Sequence, residues 1–251
     1  MCGRYAASRS PEDLVEEFEI ASVDVKESLA PDYNVAPTKT VPAVIERRPQ
    51  WNRDAPSVRR LTTLRWGLVP SWAKDLAIGS RMINARMESV ADKPAYRRAF
   101  AARRCLLPAD GYFEWYPTTS TGPSGKPRKQ PFFIHRKDGG VLALAGLYEI
   151  WRDKNKADDD PGAFWWTCTV LTTTAEDDVG QIHDRMPLLV EQERYGAWLD
   201  PTTSDRDSLL KLLVPAAPGR LEAYPVSTEV NSVRNNGAHL LDPLPPAEVA
   251  R

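Results

Sequence analysis

Hydrophobic and polar positions along this chain begin with a helical period and then settle into a shorter one. Ser10, Pro11 and Asp13 read as an N-cap, a first-turn proline and an acidic N3 residue, with Leu14, Val15 and Phe18 forming the apolar stripe of a short helix. After that the pattern turns extended. Segments near 40–45, 61–68, 105–115, 131–135, 141–150 and 164–172 are rich in β-branched and aromatic residues bounded by turn formers, which predicts strands. Stretches 95–104, 192–199 and 208–213 have helical length and spacing. Because these helices do not alternate with each strand, the pattern predicts an α+β fold, a single domain with a curved mixed β-sheet or barrel core flanked by helices. Two polar stretches, 47–60 and 118–130, are rich in Pro, Gly, Ser and basic residues and read as exposed loops. The Pro-rich end reads as a loose tail.

Composition narrows the class. A chain of 251 residues, 42% of them hydrophobic, buries a sizeable core, and a formal charge of −1 does not announce a nucleic-acid binder. An anionic partner therefore has to meet a local patch. Arginines do gather, at Arg47, Arg48, Arg53, Arg59, Arg60 and Arg65 and again over 97–104, although a solvated face is the plainer explanation of such a cluster. Cys2, Cys105 and Cys168 are scattered without ligand spacing, which argues against a disulfide framework and a zinc site and for a reducing compartment. No apolar run is long enough to span a bilayer, and no secretory h-region follows Met1.

Cys2 is the residue whose position carries chemistry. Removal of Met1 would make it the first residue, with an α-amine of pKa about 7.7–8.0 and a thiol of about 8.5 on adjacent carbons. Such a 1,2-aminothiol attacks an aldehyde through its amine to give a Schiff base, and the thiolate then closes on the imine carbon to form a five-membered thiazolidine. From position alone Cys2 is also just a small residue ahead of a strand. Gly3 permits close approach of a ligand, and Arg4 sets a cation beside the nucleophile, suiting a phosphate and lowering the thiol pKa.

Around this residue the chain resembles the SOS response-associated peptidase (SRAP) family, the abasic-site processing proteins. The resemblance runs from Met1-Cys2-Gly3-Arg4-Tyr5 through Tyr33-Asn34-Val35-Ala36-Pro37, Arg65-Trp66-Gly67-Leu68-Val69-Pro70-Ser71-Trp72 and Ile83-Asn84-Ala85-Arg86. It continues through Pro108-Ala109-Asp110-Gly111-Tyr112-Phe113-Glu114-Trp115, Ala145-Gly146-Leu147-Tyr148-Glu149 and His183-Asp184-Arg185-Met186-Pro187. It implies one domain over 1–238 with a short tail over 239–251, a crosslinking enzyme with lyase-like chemistry and no cofactor or metal, and covalent trapping of abasic sites in single-stranded DNA. A monomer, cytoplasmic and nucleoid-associated when bound to DNA, is the matching expectation. The family's functional positions fall on Cys2, Asn84, Glu114 and His183.

Chemistry assigns roles to these positions. Glu114, among Phe113, Trp115 and Tyr116, is expected to be desolvated and tuned for general acid-base work, opening the sugar hemiacetal and moving protons as the carbinolamine loses water. A glutamate on an exposed strand face is the competing picture. His183, an imidazole in a loop-like segment, suits proton transfer, or is a surface histidine. Asn84 suits orienting the α-amine or a sugar hydroxyl, or is a turn residue. For DNA contact, Arg4 and Arg86 are the candidate cations, and Pro37, Trp72 and Trp115 the stacking or wedge surfaces, some of them equally at home in a core. Three other readings stay open: an N-terminal-nucleophile amidase, a thiol peptidase using Cys2, His183 and Glu114 that removes Met1 from itself, and a non-covalent single-strand binding module.

Overall fold

A computed structural model describes residues 2–25, 29–48, 54–121, 125, 127–175 and 177–247. The strands are β1 (Tyr5–Ala7), β2 (Ser22–Asp24), β3 (Asp32–Val35), β4 (Thr40–Arg47), β5 (Val58–Trp66), β6 (Asn84–Arg86) and β7 (Arg104–Ala109). They continue as β8 (Gly111–Thr121), β9 (Pro127–Arg136), β10 (Leu142–Arg152), β11 (Phe164–Thr174), β12 (Arg185–Pro187) and β13 (Leu221–Pro225). Helices are short: α1 (Pro11–Glu17), α2 (Arg97–Ala102), α3 (Asp177–Ile182), α4 (Tyr195–Leu199) and α5 (Arg206–Leu210).

β11, β10, β7, β4 and β5 lie side by side, and parallel pairing of Thr167 with Arg65 and Cys168 with Trp66 brings β5 back onto β11. The five strands thus close into a barrel. Closure removes sheet edges and leaves alternate residues pointing inward, so Val41, Ala43 and Ile45 of β4, Leu64 and Trp66 of β5 and Cys168 and Val170 of β11 share one apolar cluster. A second sheet, in the order β13-β9-β8-β1-β3, contributes Tyr5, Tyr112 and Ile134 to that same cluster. Its other face carries Ala6, Phe113 and Phe133 against Val226 and Val230.

Helices cover the barrel's outer wall. Leu14, Phe18, Phe100, Trp198 and Leu209 pack with Leu61, Leu106 and Leu147 of the strands. The sequence-level capping box of α1 is present: the Ser10 hydroxyl accepts from the Asp13 N–H at 3.1 Å and the Asp13 carboxylate from the Ser10 N–H at 3.2 Å. No helix among the described residues is long and apolar enough to cross a membrane.

Three expectations are corrected. Much of the loop expected at 118–130 belongs to a hairpin, with Pro117 opposite Lys129 and Thr121 opposite Pro127. Its arms are polar on both sides, so the backbone ladder holds them and no hydrophobic alternation announces them. At 47–60, β4 reaches Arg47 and β5 begins at Val58, while Arg53 lies outside the described residues. The third concerns the tail placed at 239–251. Leu240 is fully buried, Val226 bridges Pro243, and the Leu244 N–H donates to the Pro225 carbonyl at 2.9 Å, so the described part of that segment closes onto β13.

One glycine contact seats the segment that leads to Asn84. Gly67 has φ +124°, and a Cβ added there would meet the Gly79 carbonyl oxygen at 2.6 Å. Gly67→Ala is therefore expected to cost about 1–3 kcal/mol through overpacking against backbone that has no rotamer to yield. Urea denaturation checks it, and an unchanged midpoint would contradict the close approach.

Candidate active site

Residue 2 precedes β1 and is fully buried, in the cluster that fills the barrel. Burial pushes its thiol pKa far above the ordinary range, with the Glu114 carboxylate adding to the rise and the Arg4 backbone N–H opposing it. The lowering expected from the Arg4 cation is not what the structure provides, because desolvation of a thiolate among Tyr5, Trp66 and Val170 outweighs it. The chain carries Met1 ahead of this residue, so its nitrogen is a peptide nitrogen and the thiol is shielded.

Asn84 opens β6, which pairs in parallel with β11 through Asn84 and Val170. This places its amide against residue 2: Nδ2 donates to the Cys2 carbonyl at 2.7 Å. The other half of the amide, Oδ1, is buried and has no hydrogen-bond partner among the described residues. An orphaned acceptor of this kind costs on the order of 1–3 kcal/mol unless a donor arrives.

Glu114 sits on β8 with 4% of its surface exposed, opposite Phe132 of β9. Burial raises its pKa, and the charge of His183 pulls it back down, which also places that histidine within electrostatic reach. The desolvation expected from the sequence is present, but the neighbours responsible differ. Side chains alternate along a strand, so Tyr112, Glu114 and Tyr116 share the face toward Cys2, while Phe113 and Trp115 point to the opposite cluster.

His183 follows α3. Its Nδ1 accepts from the Arg185 N–H at 3.0 Å, which in the neutral ring leaves the proton on Nε2 and makes that nitrogen a donor. Nδ1 also lies 2.9 Å from Asp184 Oδ1, an ion pair that forms only in the protonated ring and excludes the first bond. The loop is anchored by Arg185, whose guanidinium grips both Glu88 oxygens at 2.6 and 3.0 Å and donates to the Thr172 carbonyl at 2.6 Å.

Cys2, Asn84, Glu114 and His183, distant in sequence, are thus brought together. A groove of about 780 Å³ opens beside them, with Tyr116 and Phe132 on the Glu114 side and Ile182 and Met186 toward His183. None of the four residues lines that groove.

The candidate DNA contacts divide. Trp72 is 61% exposed, Arg86 is exposed two residues along β6 from Asn84, and Pro37 lies half-buried in the turn beside the left-handed Thr38. Arg4 and Trp115 are not brought to the Glu114 face. Arg4 Nη1 donates to Asn34 Oδ1 at 2.6 Å and to the Val230 carbonyl at 2.7 Å, with its guanidinium 5.7 Å from the centre of the Trp115 ring. Trp115 in turn donates to Asn231 Oδ1 at 2.7 Å, so both side chains clamp the outer face of the second sheet.

The sequence reading missed the buried hydroxyls of Tyr5 and Tyr112, neither with a partner among the described residues. Tyr112 feels both Cys2 and Glu114. Its spacing of two residues from Glu114 was the available signal. Among the described residues no group of three or more His, Cys, Asp or Glu side chains is arranged to hold a metal ion.

This chain is similar to known proteins in sequence and in fold. Abasic site processing protein YoaM of Bacillus subtilis is 39% identical over 242 residues, covering 96% of this chain and 98% of that one. Abasic site processing protein HMCES of Xenopus tropicalis is 28% identical over 94% of this chain and 76% of its own length. A solved protein from Bacteroides thetaiotaomicron superimposes with a TM-score of 0.78 at 24% identity, over 97% of this chain and all of that one. The model of the family described as SOS response associated peptidase (SRAP) matches residues 1–233, and this chain belongs to that family.

Proposed function

We propose that this protein processes abasic sites in single-stranded DNA by covalent capture through residue 2, acting as a monomer without cofactor. The observation that carries the reading is the arrangement around Cys2: Asn84 holds its carbonyl at 2.7 Å while presenting an unpartnered acceptor, and a buried carboxyl, Glu114, stands alongside. Once Met1 is gone, the new α-amine finds an amide oxygen to orient it and a carboxyl to exchange protons with it. Relatives named abasic site processing proteins support DNA bearing such sites as the substrate.

The steps balance without an oxidant or reductant. The amine adds to C1′ of the ring-opened sugar, and the carbinolamine loses water with Glu114 supplying the proton to the leaving hydroxyl. The Cys2 sulfur then adds to the imine carbon, its proton passing to the ring nitrogen, so aldehyde and aminothiol become thiazolidine and one water. His183, with Nε2 as donor, is suited to open the hemiacetal. Exposed Trp72 and Arg86, with half-buried Pro37, supply stacking and phosphate contact for an unpaired strand.

The test uses the purified protein, its N-terminus read by mass spectrometry, incubated with a single-stranded oligonucleotide carrying one abasic site. A heat-stable protein-DNA band on a denaturing gel is expected from chains that begin at Cys2, and none from chains that retain Met1. Equal yields from both forms would refute capture through a free α-amine.

A further inference from the structure

Arginines gathered in the sequence around 47–65 are sorted by the barrel into two kinds. Arg59 is ion-paired: its Nη1 donates to the Phe18 carbonyl at 2.8 Å and its Nε, though without a hydrogen bond among the described residues, lies 3.7 Å from Glu46. Arg60, the next residue, points the other way. Its Nε is buried without a hydrogen-bond partner among the described residues, and the same holds for Arg65 Nη1.

Both face a cleft that exists because β5 and β11 pair over only two residues, Thr167 with Arg65 and Cys168 with Trp66, and then diverge. The opening has a volume of about 520 Å³ and is lined by Arg47, Arg48, Arg60 and Arg65 together with Trp165 and Trp166, among others. The carboxylate among the lining residues is Asp24, which is exposed and forms no ion pair with Arg47, Arg60 or Arg65. Arg47 lies 4.9 Å from the centre of the Trp166 ring, and Trp166 stacks on Tyr148 at 5.8 Å, within 4° of parallel. At the rim Phe164 is 47% exposed and Trp165 36%.

Guanidinium donors of Arg60 and Arg65 that make no hydrogen bond among the described residues, beside a cleft rimmed by open aromatic faces, match one ligand chemistry, phosphate linked to a flat base. Along β11 the cleft begins at Trp166, four residues before Val170, the partner of Asn84, or about 13 Å at strand rise. We infer that this cleft is a second nucleic-acid site, which binds flanking nucleotides of a single strand while the lesion lies at residue 2. The inference rests on the proposed function only in naming DNA as the strand. The arginines bind phosphates and the rim rings stack bases, so binding here is indifferent to sequence and sensitive to salt.

An undamaged, fluorescein-labelled oligothymidylate tests this, because it carries no aldehyde and engages none of the covalent chemistry. Binding is followed by anisotropy across a salt series for the wild type, for a triple variant Arg47→Gln, Arg60→Gln, Arg65→Gln, and for Phe164→Ala with Trp165→Ala. The triple variant is expected to bind roughly tenfold more weakly at low salt and to flatten the log-log salt slope by about two, three contacts at about 0.7 each. The aromatic variant, altered only at exposed rings, is expected to lose roughly tenfold with an unchanged slope. Wild-type affinity and slope in both variants would overturn the inference, as would thymidine monophosphate binding as tightly as the strand, which would make the ligand a free nucleotide. If wild-type protein binds oligothymidylate as expected but forms no adduct with abasic DNA, the proposed function fails and the second site stands.

Discussion

Replacing Cys2 by alanine or by serine is expected to eliminate the heat-stable adduct with abasic single-stranded DNA. Both variants keep an α-amine once Met1 is removed, so both still form the imine, but neither supplies a thiol to close the ring. An imine hydrolyses on heating, whereas the thiazolidine is held by a second bond to the same carbon. Borohydride reduction before denaturation should therefore restore a band in either variant, and only then. This pattern separates ring closure from simple failure to bind or fold. Because Cys2 is fully buried, alanine leaves a small void and serine puts a hydroxyl into an apolar cluster, costs on the order of 1 kcal/mol that a thermal melt will register without abolishing folding. A heat-stable band in either variant without reductant would mean that the thiol is not a bonding partner.

The second large effect is expected from Glu114→Gln, which keeps shape and removes the titrating proton. General acid-base assistance is worth about 10²–10⁴ in rate, so adduct formation should slow by that order while the final yield survives. The wild type's rate should also show a limb governed by the raised carboxyl pKa, absent from the variant. Stability changes in the opposite sense. Burial holds the folded-state pKa of Glu114 above its unfolded value of about 4.3, so the folded chain binds more protons and stability is lost as pH rises through the folded pKa. The glutamine variant lacks that loss. Its melting temperature relative to wild type should be near parity at about pH 4 and should climb as the buried carboxyl ionises. Wild-type rates at every pH, or a pH-independent melting difference, would remove Glu114 from the acid-base role.

Much of the fold was legible because strand and helix periods are local. The capping box of α1, the strands of the barrel and the helices near 97–102 and 192–199 could be read from spacing alone, and so could the α+β class. Three-residue strands such as β1, β6 and β12 could not, since a period of two needs more residues than they have. Yet β6 is the element that delivers Asn84 to Cys2. In the site, the residue types at Cys2, Asn84, Glu114 and His183 were readable, while nothing in the sequence said that Arg4 and Trp115 would lie against Asn34, Val230 and Asn231 on the sheet face opposite Glu114. β8 carries aromatic residues on both faces, so hydrophobicity did not say which face turned toward Cys2.

What the sequence determined by itself is a vocabulary: a cysteine able to become an N-terminal aminothiol, a carboxyl among aromatics, strands that must bury one face or both. What only the tertiary structure decided is adjacency and solvation. The bond from Asn84 to Cys2 spans 82 residues, and the difference between Arg59, ion-paired with Glu46, and Arg60, lining a cleft, is a single step along β5. The first depends on β6 pairing with β11, and the cleft beside Arg60 on barrel closure between β5 and β11, pairings between segments far apart in the chain. The same closure buries the Cys2 thiol and sets its ionisation far from that of a free cysteine, because desolvation depends on what surrounds a group in space rather than on its neighbours in sequence.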